Sequence, residues 1–255
     1  MTTVAIAVIC KTPEPGRSKT RLSPPLTPDQ CAAISACFIR DLTANLRALE
    51  RSAPVSGHVL YTPVGSEERL ARLLPAGFGL VAQGGGDLGA RLSAGIEDLI
   101  ARGHRGAIIV SSDSPTLPAS YFTEAARHLM REDCVVLCPA VDGGYTFIGL
   151  SRPHPELFTD MPWSTEDVYR LTVLKAATLG LRVHSLPMWY DVDDAASLDI
   201  LRADLAGHHL FFAPDGIGRN PAPATRAFVE ALALDHGTND APRSDSFAAS
   251  GAAAQ

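Results

Sequence analysis

The chain has 255 residues, 46% of them hydrophobic and 20% charged, with a formal net charge of -6. This composition suits a soluble globular protein with a sizeable core. It excludes the broadly basic surface of a nucleic-acid or anionic-membrane binder, so any anion site must be built locally against an unfavourable field. No run approaches about 18 consecutive apolar residues, and the apolar stretch at 4–10 lacks a basic leader and a small-residue cleavage site, which together predict a cytoplasmic protein with no nucleic-acid or membrane partner.

Apolar runs of strand length fall at 4–9, 55–61, 80–82, 107–110, 134–139, 145–149 and 183–187. Helical periodicity falls between most of them, at 28–50, 66–74, 88–101, 119–131, 165–179 and 195–205. The alternation predicts an α/β fold with one mostly parallel, doubly wound sheet covered by helices on both faces, whose ligands bind beyond the carboxyl ends of the strands. Thr27, Pro28 and Asp29 read as an N-cap, a first-turn proline and a charge suited to the helix dipole, with Leu26 placed as a hydrophobic staple. In "WSTEDV", at 163–168, Ser164 and Thr165 open another helix ahead of two acidic residues. The pattern weakens after residue 207, which sets apart a main domain at 1–207 and an extension at 208–234 with a short helix at 222–234. The Ser/Ala/Pro/Asp-rich stretch at 235–255 reads as a disordered tail. Five scattered cysteines without metal-type spacing read as buried free thiols.

Four motifs fall after expected strands. The first, "KTPEPGRSKTRL", follows the opening run with Lys11, Arg17, Lys19 and Arg21. Pro13 and Pro15 restrict its backbone and Gly16 frees it. The cations could then face a phosphate chain, although the spacing is not that of a P-loop and a solvated cationic loop is the competing reading. The second, "SSDSPTLP", puts Asp113 at the ligand edge, either to hold a divalent cation or to organise a turn. The third, "DVDDAASL", puts Asp191 and Asp193 on one face of an extended segment, with Asp194 left to cap a helix; clustered carboxylates repel unless a cation joins them. The fourth is a pair of glycine-rich turns. Gly84 and Gly85 in "QGGGDLGARL" let a backbone approach a base or ribose that Gln83 or Asp87 could read, and Gly143 and Gly144 in "VDGGYTF" open space beside Asp142 and Tyr145. Tyr145 and Trp163 could line an acceptor pocket or belong to the core.

In this order the set "KTPEPGRSKTRL", "SDSPTLP", "PAVDGGYTFIGL", "WSTEDV" and "DVDDAASL" resembles the DUF2064 family, the radical-SAM/selenodomain-associated "transferase 1" group. That family is related to the 2-phospho-L-lactate guanylyltransferases, within the nucleotide-diphospho-sugar transferase (GT-A) superfamily. The resemblance runs over roughly residues 3 to 205 and implies a three-layer α/β/α sandwich binding a nucleoside phosphate with Mg²⁺ or Mn²⁺. It implies phosphate contacts from Lys19 and Arg21, with Arg17 an additional candidate, and metal ligation by Asp113 and Asp193. Two departures stand out. Asp194 replaces a threonine after the second aspartate, and prolines stand where related sugar-nucleotide enzymes carry a Gly-rich "GxGxR" opening.

Three functions compete at this level. A nucleotidyltransferase would join a nucleoside monophosphate from an NTP to a small phosphorylated, phosphonate or carboxylate acceptor, releasing pyrophosphate. Lys19, Arg21 and Asp113 would carry catalysis without a general base, because the acceptor is already anionic. A GT-A-type glycosyltransferase would use a nucleotide-sugar donor and need a base, for which Asp142 is the first candidate and Asp160 the second. A non-catalytic nucleotide-binding module is the third.

Overall fold

The computed structural model describes residues 2–239. In chain order its main elements are β1 (Val4–Lys11), α1 (Pro28–Leu49), β2 (Val55–Thr62), α2 (Glu67–Ala71), β3 (Gly79–Ala82), α3 (Leu88–Ala101), β4 (Gly106–Ser111), α4 (Ala119–Arg131), β5 (Cys134–Pro139), β6 (Tyr145–Leu150), α5 (Val168–Thr178), β7 (Arg182–Ser185), α6 (Ala195–Leu205) and α7 (Pro223–Asn239). The seven strands form one sheet in the order β3-β2-β1-β4-β6-β5-β7. All pairings are parallel except those of β6, which runs antiparallel between β4 and β5.

Three layers follow from the period-2 alternation of the buried strands. Along β1, Val4, Ile6 and Val8 join a core with α1, α4 and α6, whereas Ala5 and Ala7 join a second core with α3 and α5. Central strands buried on both faces have no polar side, which is why β1 and β4 read as continuous apolar runs. In the first core Phe38, Phe122 and Phe147 are buried, and the rings of Phe122 and Phe147 stack at 5.5 Å. Burying each is worth about 1.5–3 kcal/mol.

Local capping chemistry sets several helix starts. Thr27 accepts a hydrogen bond from the Gln30 amide while the Gln30 side chain accepts one from the Thr27 amide, and Leu26 is buried beside them. Asp194 does the same for α6 through Ser197. Other expected boundaries shift: α2 spans only Glu67–Ala71, and α5 begins at Val168, residues 163–167 being turns and a bend. The last helix continues to Asn239, five residues beyond its expected end, and the rest of the expected tail, 240–255, lies outside the described residues. The start of α7 is bound to α1 by Asp41, whose carboxylate accepts hydrogen bonds from the amides of Ala224 and Thr225. Cys10, Cys31, Cys134 and Cys138 are buried free thiols and Cys37 is half-buried. Among the described residues no helix is long and apolar enough to cross a membrane.

Strand order reverses between β1 and β4. From β1 the chain adds β2 and β3 on one side, then returns to lay β4 on the other. That switch point opens a crevice at the carboxyl ends of the strands.

Candidate active site

A cleft of about 690 Å³ lies at this switch point. Its floor is made by the ends of β1 and β4, and its walls by the loop after β1, the β5–β6 turn, residues 163–166 and the segment before α6.

The loop after β1 is folded on itself. The amides of Arg17 and Ser18 donate to the Glu14 carbonyl, the Glu14 amide donates to Ser18 Oγ, and Gly16 turns the chain at φ +73°. Lys19 then adopts left-handed backbone angles, φ 50° and ψ 40°, before a short 3-10 helix at Thr20–Leu22 that is anchored by buried Leu22. This route drives Lys19 inward. Its Nζ lies 2.8 Å from Asp113 Oδ1, 2.8 Å from Asp193 Oδ1 and 2.7 Å from the Val192 carbonyl, to which it donates.

The lysine side chain is only 7% exposed, against 24% for Asp113 and 43% for Asp193. Burial disfavours its charge, but the two carboxylates and their hydrogen bonds more than offset this, so its pKa stands above the ordinary lysine value. Asp113 is held from below as well, by Ser112 Oγ donating to its carboxylate and by the Val192 amide donating to its carbonyl. The Asp193 amide donates to Ser197 Oγ, which ties the carboxylate to the capped start of α6.

One ammonium does not neutralise the acidic group around it. Asp191 and Asp142 line the same cleft, and the Asp191 carboxyl is pushed up to about 7, first by burial and then by the charges of Asp142, Asp193 and Asp113. A half-buried carboxyl that holds its proton near neutrality among oxygen donors is what an additional cation would relieve. Carboxylate oxygens are the donor type that a hard divalent ion takes.

The remaining expected residues divide. Lys11, Arg17 and Arg21 line the cleft with exposed side chains, and Arg17 pairs with Glu14 at 3.4 Å. Lys19 lines the same cleft but differs from the other three in being ion-paired to Asp113 and Asp193. Gln83 lines the cleft, but its amide nitrogen donates to the carbonyls of Cys10 and Leu60 and holds strand ends together. Asp87 caps α3 by accepting from the Ala90 amide. Gly84 borders a separate depression with Val81, Ala94 and Asp98, and Gly85 stands in the open.

In the same cleft, Asp142 accepts from the Gly144 amide in the β5–β6 turn. Gly143, at φ +89°, packs so closely that a Cβ there would sit 2.2 Å from the Glu166 carbonyl oxygen, which explains its identity. Tyr145 and Trp163 are half-buried on the edge of the second core while also lining the cleft, and the buried Trp163 Nε1 has no hydrogen-bond partner. Sequence reasoning missed Arg91, Thr165 and Glu166, which share the lining. Only Arg91 carried a usable signal, one turn beyond a capping aspartate at the carboxyl edge.

A family model described as "Uncharacterized protein conserved in bacteria (DUF2064)" matches residues 45–165. The similarity to that family model is confined to this region, a little under half of the chain. That region includes Asp113, Asp142 and Trp163, whereas Lys19 and Asp193 flank it. Among solved structures, a "putative nucleotide-diphospho-sugar transferase" from Desulfovibrio desulfuricans G20 is 28% identical with a TM-score of 0.77, covering 92% of this chain and 96% of that one. A cytidylyltransferase from Leptospira borgpetersenii serovar Hardjo-bovis (strain JB197) is 10% identical with a TM-score of 0.53, covering 93% and 96%. A CMP:2-keto-3-deoxy-manno-octonic acid synthetase complexed with CTP is 13% identical with a TM-score of 0.51, covering 81% and 99%. The chain thus has the α/β fold of nucleotide-diphospho-sugar transferases, and these three neighbours are transferases. No curated protein matches it.

Proposed function

We propose that the protein is a nucleotidyltransferase that joins a nucleoside monophosphate to a small anionic acceptor and releases pyrophosphate. The observation that carries this reading is a cleft at the switch point where Lys19 links Asp113 to Asp193 while Lys11, Arg17 and Arg21 stand exposed at the rim. Asp113, Asp191 and Asp193 would hold Mg²⁺ or Mn²⁺, which when bound supplies charge neutralisation to the phosphate oxygens. Arg21 and Arg17 bind and orient the triphosphate through charge-assisted contacts, and Lys19 holds the carboxylates in register beneath it. An acceptor phosphate, phosphonate or carboxylate oxygen attacks the α-phosphorus, and the bond to the β-phosphate oxygen breaks. Because that oxygen is already ionised, no residue must remove a proton, and catalysis rests on position and charge.

A second reading is favoured by one observation. Asp142 lines the same cleft as the lysine, where it could deprotonate a hydroxyl acceptor of a nucleotide-sugar donor. The solved transferase from D. desulfuricans bears a name of that kind.

Incubation with nucleoside triphosphates, Mg²⁺ and a pool of small phosphorylated, phosphonate and carboxylic acids tests the choice. Pyrophosphate release that depends on acceptor supports nucleotidyl transfer. Nucleoside diphosphate release from a sugar nucleotide, lost in Asp142→Asn, replaces it with glycosyl transfer. Nucleotide binding with turnover of neither kind identifies a non-catalytic module.

A further inference from the structure

At the sheet edge remote from the cleft, the end of α4 lies beside the edge strand β7. Three side chains of metal-ligating type converge there: His128 and Glu132, one helical turn apart, and His184 from β7. One ligand atom from each lies within 4.8 Å of the others. His184 Nε2 is 2.9 Å from Glu132 Oε1, and the two imidazoles stack with centroids 3.7 Å apart at 25°. Both histidine side chains are largely covered, at 16% and 21% exposure.

Hydrogen-bond chemistry assigns the protons. Arg127 Nη2 lies 3.2 Å from His128 Nε2, and a guanidinium can only donate, so that nitrogen presents a lone pair. A carboxylate can only accept, so His184 Nε2 carries the hydrogen that it shares with Glu132. Two imidazoles and a carboxylate, drawn from the end of α4 and from β7, form the nitrogen and oxygen set of zinc and related ions.

We propose that His128, Glu132 and His184 bind a first-row divalent transition metal, Zn²⁺ foremost, and so clip the end of α4 to the edge strand. Binding transfers the Nε2 hydrogen of His184 to its other ring nitrogen or to solvent, and the ion takes its place beside Glu132. Two cations oppose the site: Arg182, 3.0 Å from Glu132 Oε2, and Arg127. Their side chains are 68% and 47% exposed and can swing into solvent. Glu124, 3.9 Å from His128 Nε2, adds negative charge and can fill a fourth position, as can water. The site shares no residue with the cleft and does not depend on the reading of its chemistry.

The test is Zn²⁺ titration against a chromophoric chelator, with thermal melting in parallel, on the full chain and on His128→Gln, His184→Gln and the double variant. Asp193→Asn serves to separate this site from the cleft. The expected result is one Zn²⁺ per chain with micromolar or tighter affinity and a raised melting temperature. Each single variant should weaken binding by at least about tenfold, since even outer-shell partners of a metal are worth 10–100-fold, and Asp193→Asn should leave it unchanged. Co²⁺ added to the unsubstituted protein, which needs no variant to fold, should give visible absorption of an imidazole-bound ion. Absence of Zn²⁺ binding by the parent, binding unchanged in the double variant, or binding lost only in Asp193→Asn overturns the proposal.

Discussion

The loop after β1 and the turn after β3 sit on the same edge of the sheet and look equally suited to hold a nucleotide, yet they use their polar residues differently. The first brings Lys19 inward onto Asp113 and Asp193, residues from two distant parts of the chain, and leaves Arg17 and Arg21 exposed on the cleft. The second spends Gln83 on the carbonyls of Cys10 and Leu60 and Asp87 on the Ala90 amide of α3. A polar residue beside a switch point is thus available to a ligand only when the backbone groups around it are already satisfied. Around β1 the loop closes its own hydrogen bonds through Glu14 and Ser18; around β3 the side chains must do it.

The sharpest way to break this contrast is Lys19→Met. Removing one partner of a buried ion pair costs about 3–5 kcal/mol. Here the carboxylates are partly exposed and water screens them, so a loss of about 2–3 kcal/mol is expected by urea unfolding. A variant as stable as the parent would return Lys19 to the class of free rim cations.

Arg21→Ala should show the opposite division. Its exposed side chain predicts a stability change within about 0.5 kcal/mol, whereas loss of a charge-assisted phosphate contact should weaken nucleoside triphosphate binding by about 1.5–3 kcal/mol. Calorimetric titration checks the second value. If stability falls and affinity does not, the rim cation is structural.

The pH dependence of stability sharpens the comparison from the acidic side. The folded pKa of Asp191 is raised to about 7, so between about pH 4 and about pH 7 the native state holds more protons than the unfolded state. Stability contributed by this group is therefore present at low pH and lost as pH rises through about 7, with a slope of up to about 1.4 kcal/mol per pH unit. Asp191→Asn should flatten that part of the profile, and saturating Mg²⁺ should reduce its slope as well. An unchanged profile in Asp191→Asn would show that the lysine alone neutralises the cluster.

The smallest effect belongs to the second connection. Asp87→Ala removes an N-cap and should cost about 1 kcal/mol in thermal or urea unfolding without altering nucleotide affinity. A tenfold loss of affinity at unchanged stability would make the turn after β3 a ligand contact after all.

Much of this was readable from local sequence, and the exceptions share one cause. The caps at Thr27 and Asp194 lie within three residues of the amides they satisfy, whereas Asp87, expected at a base or ribose, caps α3 instead. The apolar runs of β1 and β4 announce central strands because both faces are covered. The orientation of β6 was not written in its run: "YTFIGL" would suit either direction, and it is the turn at 140–144, closed by the Gly144 carbonyl and the Asp142 carboxylate, that sends it back along β5. The metal-type cluster at α4 and β7 was equally hidden, since only the lateral pairing of β7 with β5 brings His184 to Glu132.

By itself, then, the sequence determined which segments become strands or helices, how the first long helix and α6 are capped, and that carboxylates and cations gather at the carboxyl ends of strands, because period, capping and turn chemistry act over a few residues. Tertiary structure alone decided that Lys19 is a buried strut while Arg21 remains exposed. A lysine finds aspartates 94 and 174 positions away only after β4 has been laid against β1 and the last extended segment returned to the same edge. The choice between a solvated cation and an ion-paired one is made there by burial, which penalises any charge left unpaired.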